Sequence, residues 1–143
     1  MKIETFQFSE DTTMFLSFLS GVYATGGGDA PEEVLGGLEA ALNLAWSSAS
    51  KIIFHVGDSP QHGPKFHDLG PWGDNHYGAD PLGLVLEDLF SRMKQIGVRY
   101  FFGKVNRTKD KMFTEFQKIG GTEMVREVDM KRPDLLNIRA VRQ

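Results

Sequence analysis

The stretch KIIFHVGD at residues 51–58 decides the fold. Ile52, Ile53, Phe54 and Val56 make it almost continuously apolar, and three of these four are β-branched. That pattern suits a parallel strand covered on both faces. The run then turns small and acidic at Gly57-Asp58-Ser59-Pro60, which stops the strand.

Upstream, Leu35, Leu38, Ala41, Leu42, Ala45 and Trp46 recur at helical spacing, so a helix is expected from Glu32 for about four turns. Gly36 and Gly37 inside it each cost about 1 kcal/mol against alanine, which points to close helix-to-sheet packing. The helix follows a glycine-rich loop, Ala24-Thr25-Gly26-Gly27-Gly28-Asp29-Ala30, and Pro31 suits its first turn. Further upstream, Met14, Phe15, Phe18 and Leu19 give a short amphipathic helix over 12–22, and KIETFQF at 2–8 alternates as a short edge strand.

Downstream, residues 59–79 hold three histidines, Trp72 and Tyr77 but no helical or strand period, and loops this long are usually functional or disordered. Asp80-Pro81 then reads as the cap of a helix carrying Leu82, Val85, Leu86, Leu89, Phe90 and Met93 to Gly97. A strand at 98–105, a helix from Thr108 to Gly120 and a strand at 123–128 complete the pattern. Helix-then-strand steps with short connections predict an α/β fold, a Rossmann-like parallel sheet flanked by helices. Ligands in such sheets bind at the carboxyl ends of the strands, where Asp58 lies.

Composition narrows the function. At 143 residues, 41% of them hydrophobic, the chain supports one core, read as a domain over 1–130 followed by a basic tail at 131–143. Sixteen basic against 19 acidic side chains, with a pI near 5.8, lack the positive footprint of general nucleic-acid binding. No run approaches the roughly 20 apolar residues of a membrane span, and Glu4 interrupts any signal-like start. A cytoplasmic location is therefore expected. With no cysteine, any metal must sit on oxygen or imidazole.

Two constellations could carry chemistry. Asp29 and Glu32 open the helix at 32, and Asp58 closes the strand at 51–56. Three carboxylates on two loops suit a hard cation, magnesium or calcium, whose unfilled position would accept a partner's carboxylate. The bland readings are favourable charges at a helix start for Asp29 and Glu32, and a turn residue for Asp58. The rival set is His62, His67 and His76 with Asp68, Asp74 and Asp80, which has the ligand types of a zinc hydrolase. None of its spacings matches HExxH or another tight ligand pair. His55 reads as a hydrogen-bonded core histidine, and Trp72 with Tyr77 as a packed lid in preference to exposed anchors. There is no GxSxG elbow and no GxxxxGK[ST] phosphate loop.

The runs ATGGGDAPEEVLGGLEAALNLAW and KIIFHVGDSPQHG, with GADPLGL at 78–84 and YFFGKVN at 100–106, resemble the von Willebrand factor A-type domain, especially the kind attached to α-type protein kinases. The resemblance covers about residues 3–125. The Asp29-Ala30-Pro31-Glu32 step is also similar to the cation-binding loop of integrin β-subunits. By resemblance, then, Asp29, Glu32 and Asp58 belong to a metal-ion-dependent adhesion site, with Thr25 or Ser59 as hydroxyl ligands, in a protein-binding module without catalysis.

The family's domain opens with a strand ending in Asp-x-Ser-x-Ser, then a helix and a second strand. No such motif occurs here. The resemblance thus implies a degenerate site of weak affinity and an open edge on the strand at 51–56, with three alternatives: the sequence is a truncated product, another chain completes the sheet, or the remaining strands rearrange.

Overall fold

The computed structural model describes residues 3–23, 25 and 27–130. Its elements run α1 (Thr12–Ser20), α2 (Val34–Leu42), β1 (Lys51–Gly57), α3 (Leu86–Ile96), β2 (Val98–Lys104), α4 (Asp110–Gly120) and β3 (Val125–Asp129). The three strands form one parallel sheet in the order β1-β2-β3, with Ile53 beside Tyr100 and Tyr100 beside Val125. The α/β reading holds. The basic tail read at 131–143 lies outside the described residues.

Side chains alternate across a strand, so Ile53, Tyr100, Phe102 and Val125 share one face. The aromatic rings of α3 and α4 cover that face. Phe90 and Phe116 meet Tyr100 at 6.0 and 5.7 Å, and Phe113 stacks on Phe102 at 5.7 Å. Gly120 has no room for a side chain, since a Cβ there would come within 2.7 Å of Phe90. α3 carries Glu87 and Asp88 in its first turn and Lys94 in its last, matching the helix dipole, and Gly97 ends it at a left-handed φ of 74°.

Four expectations need correction. Residues 3–8 form no strand: Phe6 packs on Phe15 and Phe18 of α1, at 5.6 and 5.2 Å, and Phe8 meets Trp46 edge-on. Their alternation serves aromatic contacts in place of a ladder. β1 has the open edge that the family resemblance implied, but among the described residues it is covered on one face and not on both: its Phe54 and Val56 are 46% and 52% exposed. α2 stops at Leu42, with the Trp46 indole donating back to the Ala41 carbonyl.

The helix expected from Asp80 starts only at Leu86. Asp80 is a turn residue whose Oδ2 accepts from the Leu82 and Leu84 amides, so its carboxylate is used before the helix begins. The paired glycines of α2 divide in role. A Cβ on Gly36 would sit 2.9 Å from Leu82, whereas one on Gly37 would meet nothing within 4 Å. Close packing therefore explains the first glycine alone.

Candidate functional site

At the carboxyl end of the sheet the loop at 59–79 folds around one carboxylate. Asp74 is 3% exposed and accepts four hydrogen bonds. Its Oδ1 takes the His62 Nδ1 at 2.7 Å and the His76 amide at 2.8 Å. Its Oδ2 takes the Gly63 amide at 2.7 Å and the His67 Nε2 at 2.9 Å. The Leu69 amide donates to His67 Nδ1, which fixes the ring with its proton on Nε2, facing Asp74. Burial pushes the Asp74 carboxyl up, but the Gly63 amide, the His62 ring, the His76 amide and the His67 ring together hold it well below the usual carboxylate range. The loop has an ionised centre.

Asp29 joins this centre from the glycine-rich loop. Its Oδ2 accepts the Asn75 amide at 2.7 Å and lies 3.8 Å from His62 Nδ1. Asp29, His62 and Asp74 place one ligand atom each within 4.8 Å of the others, so this group could hold a metal ion. Among the described residues no other set of three or more such side chains converges in this way.

The residues singled out in the sequence divide between two adjoining cavities. Thr25, Asp29 and Glu32 line one of about 610 Å³, together with Glu33, His62 and His76. Glu32, Asp58 and Ser59 line a cleft of about 480 Å³ between α2 and β1. Glu32 borders both, and its backbone bridges to Gln61. Asp58 is exposed at the strand end, and its carbonyl accepts the Thr108 hydroxyl at 2.8 Å. Asp29 thus finds its ligand-type neighbours in the histidine loop and not in Glu32 and Asp58, because the Asn75 amide draws its carboxylate that way.

Of the rival set, His62, His67 and Asp74 come together, and His76 lies edge-on to His62 with ring centres 4.9 Å apart. Asp68 instead pairs with Lys111, and Asp80 accepts the Gln61 amide at 3.0 Å. Trp72 is 100% exposed and so is no lid.

Two supporting residues escaped the sequence reading. Gln61, fully buried, accepts the Leu35 amide at the start of α2 while donating to Asp80. Glu33, 7% exposed, caps α2 by accepting the Gly36 amide through Oε1, while its buried Oε2 has no hydrogen-bond partner. Burial, reinforced by nearby Asp80, pushes the Glu33 carboxyl up. An acid just after a loop proline was the available signal for Glu33; nothing in the spacing marked Gln61.

His55 on β1 is a half-buried histidine whose Nδ1 lies 2.5 Å from the Tyr100 hydroxyl. Burial first, and the Lys109 ammonium second, lower its pKa from 6.5 to about 4. Lys109 is fully buried, with Nζ 4.7 Å over the Phe102 ring and no hydrogen-bond partner. An unfolded chain takes a proton on residue 55 as pH falls through about 6.5, while the folded chain does not until about 4. Its contribution is therefore complete above pH 6.5 and lost as pH falls toward 4, a loss of about 2 to 3 kcal/mol. Urea midpoints between pH 7.5 and 4.5 should record this loss. The slope should flatten in His55→Gln, and an unchanged slope would show that this histidine does not resist protonation.

No family model and no solved structure matches the chain. A curated protein, the α-protein kinase vwkA of Dictyostelium discoideum, is 33% identical over 116 residues, covering 80% of this chain. The chain spans only 18% of that relative. Among the described residues no helix is long and apolar enough to cross a membrane.

Proposed function

We propose that this chain is a non-catalytic protein-binding module, a von Willebrand factor A-like domain of the α-kinase-linked kind, that takes up an extended segment of another polypeptide along the open edge of β1. The kinship with part of an α-protein kinase supports the family, since the stretch matched makes up so little of that kinase. The observation that carries the binding mode is the cleft between α2 and β1. Five consecutive residues of β1, from Ile53 to Gly57, line it. Neighbouring side chains point to opposite faces, so a cleft lined by consecutive residues runs along the strand's backbone edge. Unpaired amides and carbonyls there template another strand. Leu38 and Ala41 give the cleft an apolar floor, and Glu32, Glu33 and Asp58 give it acidic groups that suit a basic residue in the incoming segment.

The magnesium or calcium site implied by the family fits these residues poorly. Asp29, Glu32 and Asp58 with Thr25 and Ser59 are spread over two cavities, and hard cations need several oxygens at one point. Binding of the partner is therefore independent of these ions, and the working compartment is the cytoplasm.

Peptides selected from a random library on the immobilised chain provide the test. Gly37 borders the cleft on the exposed side of α2, in open space, so Gly37→Arg leaves the fold intact and lays a long side chain over the groove. Selected peptides should bind the parent chain, with or without millimolar magnesium, and lose at least about tenfold in affinity to Gly37→Arg, a change of about 1.4 kcal/mol. Peptides that ignore this substitution, or need magnesium, would defeat the edge-binding reading.

A further inference from the structure

We propose that Asp29, His62 and Asp74 bind a divalent ion of the zinc class, which ties the loop at 59–79 to the glycine-rich loop ahead of α2. This site differs from the all-oxygen site that the family resemblance implies, and it does not depend on the protein-binding reading.

The chemistry begins with the ligand set. One imidazole nitrogen and two carboxylates match zinc and its neighbours in the transition series, whereas magnesium and calcium prefer oxygen alone. His62 Nδ1 lies 2.7 Å from Asp74 Oδ1 and 3.8 Å from Asp29 Oδ2. Tetrahedral ligands about 2.0 to 2.1 Å from zinc stand about 3.4 Å apart. The two separations bracket that value, and the carboxylate oxygens of Asp29 and Asp74 lie within 4.8 Å of each other. The ion takes the place of the proton between His62 Nδ1 and Asp74 Oδ1, which is released to solvent while the ring keeps a proton on Nε2, and side-chain shifts of about 1 Å complete the site.

The surrounding groups suit the same purpose. Metal-binding carboxylates are normally oriented by hydrogen bonds to the oxygen turned away from the ion. The Gly63 amide and His67 Nε2 do this at Asp74 Oδ2, and the Leu69 amide fixes His67 in turn. At Asp29 the Asn75 amide bonds Oδ2, the ligand oxygen itself, and so holds the carboxylate toward the group. His67 is therefore a positioning residue.

A separate observation also points to a cation. Glu33 lines the same cavity as Asp29 and His62, is 7% exposed, and keeps one buried carboxylate oxygen without a hydrogen-bond partner. Among the described residues, Asp29, Glu32 and Glu33 line this cavity with no lysine or arginine beside them, an excess of negative charge that a cation offsets. The cavity, about 610 Å³, leaves space at a fourth coordination position for water or a side chain from a partner.

Cobalt(II) and zinc titrations of the full chain test the proposal. Cobalt should give the visible absorption of a four-coordinate site, zinc should abolish that absorption, and zinc should raise the melting temperature. Both responses should weaken at least about tenfold in His62→Gln and in Asp29→Asn, and persist in Asp68→Asn. Asp29→Asn keeps an oxygen for the Asn75 amide, so it reports on the ion even where His62→Gln fails to fold. Absence of both responses in the parent chain, their survival in Asp29→Asn, or an equal melting shift with magnesium would each overturn the assignment.

Discussion

Replacing Phe116 by alanine is expected to cost about 3 to 5 kcal/mol, a large part of the 5 to 15 kcal/mol by which a domain is typically stable. The side chain is fully buried on α4 and touches three other parts of the fold. Its ring lies 5.4 Å from Phe90 of α3, 5.7 Å from Tyr100 of β2 and 6.1 Å from Phe66 of the loop at 59–79. Truncation removes the transfer free energy of the ring and leaves a cavity whose walls belong to three elements, so collapse is hindered. Urea unfolding should show the midpoint falling with the slope unchanged. A loss below about 1.5 kcal/mol would mean that the rings close over the gap.

Asp74→Ala should cost about 3 to 5 kcal/mol for a different reason, the loss of one partner from a buried charged network. Four donors converge on that carboxylate: His62 Nδ1, the amides of Gly63 and His76, and His67 Nε2. Alanine leaves all four facing a vacated space, and buried donors without acceptors bear their full desolvation cost. The damage should be local as well as global. Amide exchange across 62–76 should accelerate more than exchange in β2, since the loop opens without dissolving the sheet. Equal acceleration in both would show that the carboxylate does not organise the loop.

Periodicity made the sheet legible. The apolar runs of β1 and β2 and the stripes of α3 and α4 have one reading each, because a buried strand and an amphipathic helix repeat differently. The segment at 3–8 misled because alternation reports only that Phe6 and Phe8 make apolar contacts, and α1 and Trp46 supply those without a sheet, leaving Phe8 54% exposed. At Asp80-Pro81 the same residues that cap a helix also make a side-chain-bonded turn, and Gln61, distant in sequence, takes part in the choice.

The site was half legible for a similar reason. Asp29 stands out beside its glycines, but what it faces is fixed by the Asn75 amide, 46 residues away. The histidine loop has no ligand spacing to read, because Asp74 gathers His62 and His67 by folding the chain back on itself. Convergence of that kind leaves no period in a sequence.

Hydrogen exchange along β1 in the free chain, and again with a selected peptide bound, decides whether the strand edge is the docking surface. Alternate amides between 52 and 56 should exchange rapidly in the free chain, where they face the open edge, and slow at least about tenfold on binding, while β3 stays unchanged. Uniform protection of β1 before any peptide is added, or slowing confined to another part of the surface, would mean that partners do not dock on this edge.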